Sequence, residues 1–444
     1  MKKNALPNGK FNGLILTLLL AVSANFLFAQ TEKSRTIEKT FDGKTALWAS
    51  HRYGDLILKK GSGSQIKAVL TVTASSKNQE ELQQFLDYFN LEATEATDNK
   101  IDLKSAGAIE NWKSVNGRST IKFNDGKSFS GIHKFRMVLE ITVPKLRYAT
   151  LENKYDAIRV EEECTSILEI KLYEGRLEAP GTFEKLTLHL KYAKGSVGNF
   201  NTCAAKMYDS DLSMGNGGTL NLDTKYSGLK IGNLQALTLN CYDDDFQIGG
   251  VSGATDIKDK YSEFSFSGDL GTATFALYDS KIDLQNADNI RVSSSKYTEY
   301  SFQELNTLHF DESYDDDVRL EKVGTLSANA SKYTEYTVGG LWKNLNFPQS
   351  YDDAIKVRSV GGTFAGLTFD GKYTDLSLPI PASVKYEINA YLKYGKLLFP
   401  EDIMETTIFK EKNEEITVQA KVKGAGADAP KVNIKSYDGL IQLK

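Results

Sequence analysis

The chain has 444 residues, of which 41% are hydrophobic, 25% charged and 11% aromatic, and its formal net charge at pH 7 is −4. This mildly acidic balance argues against nucleic acid or an anionic membrane surface as a partner. Three cysteines, Cys164, Cys203 and Cys241, are too few for a disulfide framework. We expect them to be small buried residues, with a disulfide between two of them as the alternative.

Residues 1–29 are predicted to be a secretory signal peptide. Three lysines form a basic start, an apolar stretch follows, and the small residue Ala29 precedes a predicted mature start at Gln30. A membrane anchor is the weaker alternative, because the apolar stretch is short and interrupted by polar residues. Removing the three lysines leaves 51 basic and 58 acidic residues, a net charge of −7. We therefore expect an exported protein of the periplasm, cell surface or extracellular space, with no membrane span after signal removal.

Residues 30–150 are predicted to form a β-rich region that contains a first coil and a capping helix. The helix is predicted at 78–90, where apolar side chains recur at helical spacing. We expect residues 75–144 to cover the open end of a stack of coils, because an uncovered end would leave backbone groups unpaired. Strands in this region are predicted at 101–103, 120–123 and 136–143.

A repeat organises residues 151–400. Lys-Tyr pairs recur in steps of about 34–40 residues, which marks a repeat architecture, and a second set of tyrosines lies midway between them, mostly followed by acids. The unit is therefore about 18 residues long and alternates between a Lys-Tyr turn and a Tyr-Asp turn. The Lys-Tyr pairs have their tyrosines at Tyr155, Tyr192, Tyr226, Tyr261, Tyr297, Tyr333 and Tyr373, and the second set is Tyr173, Tyr208, Tyr242, Tyr278, Tyr314 and Tyr351.

The apolar residues after each turn predict strands. After a Lys-Tyr turn they lie three and five residues beyond the tyrosine, as at Phe264 and Phe266; after a Tyr-Asp turn they lie four and six beyond, as at Phe246 and Ile248. Spacing by two is typical of a strand with one buried face. We expect the additional residue of the Tyr-Asp turn to be absorbed as a bulge, and the lysines of one coil to lie beside the aspartates of the next.

These patterns predict an all-β fold: a single-stranded β-solenoid (β-helix) with coils of about 18 residues and an N-terminal elaboration containing one helix. The alternative is a β-propeller, in which each doublet of about 36 residues would be one blade. The solenoid is favoured because the two halves of the doublet resemble each other and because propeller blades are longer, at about 40–50 residues. Residues 401–444 are predicted to be a C-terminal elaboration followed by a final coil around Tyr437 and Asp438.

A strand ending in Val143-Pro144 leads into the short coil at 153–160, and this arrangement resembles a known bacterial family. It is similar to the adhesin-like β-solenoid proteins of unknown function related to the auto-transporter adhesin head domain. In that family the coils carry Asn-Gly-Asp-Ile-like turns, whereas tyrosine stands at the corresponding turns here, as in Tyr155-Asp156. The resemblance implies an exported, non-enzymatic solenoid and supplies no catalytic residues.

No constellation of reactive residues repeats with the coils. The four histidines, His51, His133, His189 and His309, are scattered without metal-ligand spacing, and no phosphate-binding loop or nucleophile motif is present. We therefore expect no enzymatic activity, no catalytic residues and no cofactor.

The aspartates at 243–245, 315–317 and 352–353 are the sharpest candidates for a metal site, because calcium prefers several carboxylates. Equivalent clusters should nevertheless lie two coils apart, at about 9.6 Å, which is too far to share an ion. We therefore expect solvated turn acids and no metal site. A calcium-dependent polysaccharide-active enzyme remains the alternative.

The tyrosines form either a structural ladder at a corner of the coils or a strip on which sugars stack. The sequence thus predicts an exported non-enzymatic scaffold, adhesin-like or a surface or periplasmic interaction protein. Its expected partners are a cell-surface glycan or an envelope protein, and not nucleic acid. The alternative function is glycan binding or calcium-dependent action on a polysaccharide.

Overall fold

The computed structural model describes residues 31–96, 99–106, 109–115, 118–162 and 164–444, so the predicted signal peptide at 1–29 lies outside the described residues. The chain forms two compact units. Within the described residues, the smaller unit comprises 31–39, 69–92 and 105–138, and the larger unit comprises 40–68, 93–104 and 139–444.

Strands dominate the described residues, which contain one α-helix, α1 (Gln79–Asp87), and a short 3-10 helix at Glu401–Ile403. No helix in this part of the chain is long and apolar enough to cross a membrane. The strands are β1 (Thr31–Phe41), β2 (Ala46–Arg52), β3 (Gly54–Lys60), β4 (Ile66–Ser76), β5 (Asn90–Glu95), β6 (Lys100–Ala106), β7 (Ile109–Val115), β8 (Arg118–Phe123), β9 (Ser128–Ile132), β10 (Lys134–Val143), β11 (Tyr148–Lys154), β12 (Ile158–Val160), β13 (Ile167–Ala179), β14 (Phe183–Val197), β15 (Phe200–Tyr208), β16 (Asp211–Met214), β17 (Gly217–Lys225), β18 (Gly228–Ile231), β19 (Leu234–Tyr242), β20 (Asp245–Ile248), β21 (Val251–Lys260), β22 (Glu263–Phe266), β23 (Leu270–Tyr278), β24 (Lys281–Lys296), β25 (Glu299–Tyr314), β26 (Asp317–Lys332), β27 (Glu335–Tyr351), β28 (Ala354–Val360), β29 (Gly366–Lys372), β30 (Asp375–Ser377), β31 (Glu387–Lys393), β32 (Lys396–Leu398), β33 (Met404–Lys412), β34 (Glu415–Val422), β35 (Lys431–Tyr437) and β36 (Leu440–Gln442).

The smaller unit contains the helix and an antiparallel sheet formed by β7, β8 and β9. Helix α1 begins after Asn78, whose side chain accepts hydrogen bonds from the backbone N–H groups of Glu80 and Glu81 and so caps the first turn. The ring of Phe85, on the buried face of the helix, packs 5.4 Å from Phe129 and 5.3 Å from Phe135 between ring centroids. The helix predicted from the apolar spacing is confirmed.

The larger unit is a β-solenoid, which confirms the predicted fold class and excludes the propeller. Each coil in its middle consists of a long strand, a turn that carries a tyrosine, a short strand and a second corner. The long strands β15, β17 and β19 pair in parallel, coil upon coil, and the short strands β16, β18 and β20 do the same on the opposite side. Alternate residues of each strand point inward, as the two-residue spacing predicted.

The core consists of apolar side chains at equivalent inward-facing positions of successive coils, stacked along the solenoid. Phe246 and Phe264 are aligned in neighbouring short strands, and their rings stack with centroids 5.0 Å apart. Burying each side chain of this size contributes about 1.5–3 kcal/mol, and the contribution recurs in every coil.

The second corner, opposite the tyrosine turns, is held by asparagines between Asn199 and Asn233. The Oδ1 of Asn199 accepts a hydrogen bond from the backbone N–H of Asn216, and the Oδ1 of Asn216 accepts one from Asn233. Glycine precedes each asparagine because the neighbouring coil lies very close: a Cβ at Gly232 would lie 2.5 Å from Asn216 Oδ1.

The order of coils in the stack differs from their order in the sequence near the C-terminus. Strand β35 pairs in parallel with β29 on one side and with β31 on the other, and β36 likewise lies between β30 and β32. The last coil of the chain is therefore inserted between two earlier ones. Strand β31 then pairs antiparallel with β34, which pairs antiparallel with β33.

Candidate functional site

Tyrosines stack continuously at one corner of the solenoid, in what we call the tyrosine ladder. Neighbouring ring centroids are 5.2–6.2 Å apart. Eleven of these tyrosine residues are 36–48% exposed. Among the described residues the ladder comprises, in spatial order, Tyr53, Tyr155, Tyr173, Tyr192, Tyr208, Tyr226, Tyr242, Tyr261, Tyr278, Tyr297, Tyr314, Tyr333, Tyr351, Tyr373, Tyr437 and Tyr394.

The two kinds of turn have equal length, so the predicted bulge in the Tyr-Asp turn is wrong. Lys260 aligns with Tyr278 before the turn, and Glu263 aligns with Lys281 after it, with two residues between in each coil. The tyrosine is instead one position earlier in the Tyr-Asp turn. The pattern of apolar residues could not distinguish an inserted residue from a displaced aromatic.

The residue with positive φ alternates with the turn type. In Lys-Tyr turns the tyrosine itself is left-handed, as at Tyr226 with φ 58°; in Tyr-Asp turns the following acid is, as at Asp243 with φ 56°. Aspartate tolerates this conformation better than most residues, whereas a bulky residue there is strained. Because the two turn types alternate, each ring is rotated relative to the rings next to it. The pairs from Tyr155 onward are edge-to-face, with interplanar angles of 75–89°. This is a favourable aromatic geometry, worth about 0.5–1.5 kcal/mol per pair beyond burial.

In each Lys-Tyr turn, the lysine occupies the register position that the tyrosine takes in a Tyr-Asp turn. Because Lys225 aligns with Tyr208 and Tyr242, a lysine stands at this position in every second coil. The lysines align with tyrosines and not with aspartates, so that expectation is wrong. Four of them, Lys154, Lys191, Lys225 and Lys296, also lie over the rings: the Nζ of Lys296 is 4.6 Å from the centroids of both Tyr297 and Tyr314. We call these residues the lysine row: Lys154, Lys191, Lys225, Lys260, Lys296, Lys332 and Lys372.

The aspartates of the Tyr-Asp turns are not all solvated, contrary to the sequence prediction. Asp244 is only 5% exposed, and its carboxylate accepts hydrogen bonds from Thr224 Oγ1 at 2.7 Å and from the backbone N–H groups of Ser227 and Tyr242 at 2.6 and 3.0 Å. Asp316 and Asp353 occupy the same place four coils and six coils further along. Each buried acid thus joins its turn to the preceding one.

Burial raises the pKa of Asp244 and of Asp316 to about 6, since the charged form loses water that the hydrogen bonds only partly replace. The sequence could not reveal this role, because the three aspartates of such a run look equivalent until the turn conformation is known. No group of three or more histidine, cysteine or acidic residues that could hold a metal ion occurs among the described residues.

The three cysteines are buried and free, which confirms the first expectation and contradicts the alternative of a disulfide. Burial raises the pKa of the Cys203 thiol to about 12 and that of Cys164 to about 11, so both remain protonated at neutral pH.

One histidine takes part in a polar cluster that the sequence did not indicate. His309 Nδ1 lies 2.8 Å from Ser327 Oγ, and His309 Nε2 lies 3.0 Å from Asp311 Oδ1. The first contact joins aligned positions of β25 and β26, and the second lies within β25. Asp311 also accepts a hydrogen bond from Arg291 Nε at 2.8 Å, so its charge is already paired.

Two open grooves run along the lysine row on the long-strand face. One, of about 710 Å³, is lined by residues between Ser50 and Lys225; the other, of about 790 Å³, is lined by residues between Asp223 and Tyr314. They share Asp223 and Lys225, so we treat them together as the lysine groove. It combines cations and aromatic rings along a line parallel to the stack of coils.

No family model and no curated protein matches the chain. Similar solved structures include a protein named a "putative cell adhesion protein" from Clostridium sporogenes, 11% identical, covering 93% of this chain and 99% of that one with a TM-score of 0.17. A "putative adhesin" from Bacteroides fragilis is 11% identical, with 73% and 95% covered and a TM-score of 0.19. A "putative lipid binding protein" from Parabacteroides distasonis is 11% identical, with 76% and 97% covered and a TM-score of 0.16.

The structure has the β-solenoid fold that the resemblance implied. At such low TM-scores the neighbours carry no argument about function, which therefore has to come from the ladder and the groove.

Proposed function

We propose that the protein is an exported, non-enzymatic interaction scaffold of adhesin type, and that the tyrosine ladder with its lysine row is its binding surface. The observation that carries the proposal is the exposed, unbroken repetition of the same side chains. Ring faces and cations recur in register from Lys154 to Lys372, across coils whose turns are too short to enclose a cleft. Aromatic rings with a polar edge favour recognition of polymers that present both apolar and polar groups.

A purely structural ladder would stabilise the solenoid without any ligand, and the edge-to-face pairs do contribute such stability. Ring stacking by itself, however, requires neither solvent-exposed rings nor exposed lysine amines. The two roles are compatible, since the stacking holds the rings in fixed positions and so lowers the entropic cost of binding.

Adhesion of beads coated with residues 31–444 to intact bacterial and host cells, together with binding to a glycan and matrix-protein array, tests the proposal. The variant Y226N/Y261N/Y297N removes three exposed rings, and asparagine tolerates the left-handed backbone at these positions. We expect reduced adhesion. The control W342N/F409N removes two exposed aromatic residues outside the ladder and should adhere normally.

Equal adhesion by both variants would exclude the ladder as the binding surface. Ser327 is the serine whose hydroxyl lies beside His309. Labelling of Ser327 by a fluorophosphonate, or turnover of any polysaccharide with or without calcium, would show that the protein is an enzyme.

Export is tested separately, by mass spectrometry of the native protein, which we expect to begin at Gln30. Protease added to intact source cells should distinguish a surface from a periplasmic location.

A further inference from the structure

The cations of the lysine row are not neutralised by carboxylates. Among the ion pairs between described residues, many surface lysines pair within 4.0 Å of a carboxylate oxygen, as Lys171 does with Glu152 at 2.7 Å and Lys194 with Asp211 at 2.7 Å. In that part of the structure no carboxylate lies within this distance of any lysine of the row from Lys191 to Lys372. These amines instead face neutral tyrosine rings or solvent.

The spacing of these cations is regular. Lysines of the row occur in every second coil, and coils are separated by about 4.8 Å, so that consecutive amines repeat at about 9.6 Å over roughly 48 Å from Lys191 to Lys372. A tyrosine occupies the same register position in each intervening coil, as Tyr242 does between Lys225 and Lys260. At this register position, lysine and tyrosine therefore alternate from coil to coil along the stack.

The lysine groove continues this charge onto the sheet face. Its first part is lined by five lysines and two carboxylates, and its second part by four lysines and three carboxylates, of which Asp259 is buried and hydrogen-bonded to Ser262 and Ser280. Two further groove lysines, Lys206 and Lys258, also have no carboxylate within 4.0 Å among the described residues. The exposed turn acids, such as Asp243, lie on the other side of the ladder, at the following position of the turn. A polyanion is thus attracted to the sheet side and repelled from the turn side.

We propose that the lysine groove binds a linear acidic polysaccharide, extended along the solenoid, with its carboxylates or sulfates on the lysine row and its sugar faces against the tyrosines. This inference rests on the proposed function and names the ligand class. A glycan with one acidic group on every second sugar repeats its charge after two ring lengths, which suits a cation in every second coil. Nucleic acid fits less well, because each DNA strand carries a charge every 3.4 Å or so, nearly three for each lysine. A peptide composed of acidic residues alone offers no ring faces, and a membrane surface is planar where the lysines form a line.

The test uses purified residues 31–444 and hyaluronan oligosaccharides, which carry one carboxylate per disaccharide. A chitin oligosaccharide of equal length is the neutral comparator. The variant K191Q/K225Q/K260Q removes three cations of the row, and the matched control K230Q/K343Q/K356Q removes the same charge from exposed lysines elsewhere on the solenoid. Circular dichroism and thermal unfolding of each variant establish that the fold is retained.

We expect hyaluronan to bind the native protein and the control alike, and to bind the K191Q/K225Q/K260Q variant at least about tenfold more weakly, a loss of about 1.4 kcal/mol. Since three charges are removed, the slope of log affinity against log salt should also be smaller in magnitude for that variant than for the native protein. Equal binding of the chitin oligosaccharide, or an unchanged affinity and slope in the variant, would overturn the inference.

Two further probes distinguish the ligand classes. Binding to polyglutamate, or to vesicles of equal parts phosphatidylcholine and phosphatidylglycerol, with none to hyaluronan would exclude an acidic polysaccharide as ligand. If hyaluronan does not bind while the Y226N/Y261N/Y297N variant still loses adhesion to cells, the inference is wrong and the proposed function stands. If neither the ladder nor the lysine row affects any binding, both fail.

Discussion

Neighbouring aspartates of one turn occupy different environments, and the difference decides what each can do. Asp243 is exposed in a left-handed conformation, whereas Asp244 is buried and accepts three hydrogen bonds. The sequence identified the turn but treated its acids alike, because their environments depend on a displacement of the tyrosine by one residue. Spacing of apolar residues determines which strand positions face the core; it does not determine the path of the turn between them.

Asp244→Ala should destabilise the protein by about 3 kcal/mol, because it leaves the buried N–H groups of Ser227 and Tyr242 without their acceptor. Asp243→Asn should change stability by less than about 0.5 kcal/mol, since that side chain is exposed and asparagine tolerates the left-handed region. Urea unfolding of the two variants checks the comparison. Equal effects would mean that the buried carboxylate does not link the coils.

The raised pKa of Asp316, about 6, makes part of the stability depend on pH. Since the folded state holds this proton more tightly than the unfolded chain, whose aspartates titrate near 3.9, stability from this group is greatest at low pH and is lost as pH rises through about 4 to 6. Asp316→Asn should therefore cost more stability near about pH 4.5 than at about pH 7, by roughly 1–2 kcal/mol. Chemical denaturation of both proteins at the two pH values measures this difference; a cost that is greater at the higher pH would contradict the assignment.

At the scale of the turn, the alternation of Lys-Tyr and Tyr-Asp determines the orientation of neighbouring aromatic rings as well as the positions of the charged side chains. The first two rungs show what happens without it: Tyr53 and Tyr155 are both left-handed, and their rings stack at an interplanar angle of 21° with Arg52 4.6 and 5.5 Å from the two centroids. The repeat of about 18 residues and the solenoid were predictable, because they depend on periodicity alone. The edge-to-face packing was not, because it depends on backbone conformation.

Exchanging one Tyr-Asp turn for a Lys-Tyr turn, in the variant Y278K/D279Y, tests the alternation. A lysine would then stand at about 4.8 Å from the backbones of Lys260 and Lys296, and a third adjacent tyrosine would be forced into the left-handed region. We expect a loss of about 1–3 kcal/mol, part of which returns at high salt. Thermal unfolding at low and high salt measures it, with D279N as the control; no loss of stability would show that the order of the turns is neutral.

The opposite corner allows a test of close approach between coils. Gly232→Ala places a Cβ 2.5 Å from Asn216 Oδ1 and 2.9 Å from the carbonyl carbon of Gly215, so backbone must shift, at a cost of about 1–3 kcal/mol. Gly362→Ala is the control, because nothing lies within 4 Å of its added Cβ. Urea unfolding should separate the two substitutions. A mild effect at Gly232 would mean that the corner is not tightly packed.

At the scale of the larger unit, the order of coils limits how the stack can assemble. Coils between Tyr148 and Ser377 follow one another in sequence, but the coil formed by β35 and β36 is inserted beneath β31 and β32, which precede it in the chain. The sequence indicated a coil around Tyr437 because the local pattern returned there. It could not indicate the place of that coil, since every coil of the repeat offers a similar edge.

Removing residues 431–444 should therefore cost far more than trimming an end. Strands β29 and β31 would each lose a parallel partner, and the hairpin formed by β33 and β34 would lose the strand stack on which it rests. We expect hydrogen exchange of the truncated chain to show lost protection across residues 387–422, while the coils between Tyr148 and Tyr351 stay protected, because each repeat depends on its neighbours. A synthetic peptide of residues 431–444, added in excess, should restore protection by entering the vacant place as a strand. Retained protection of 387–422 in the truncated chain, without the peptide, would show that the inserted coil does not hold the C-terminal hairpin in place.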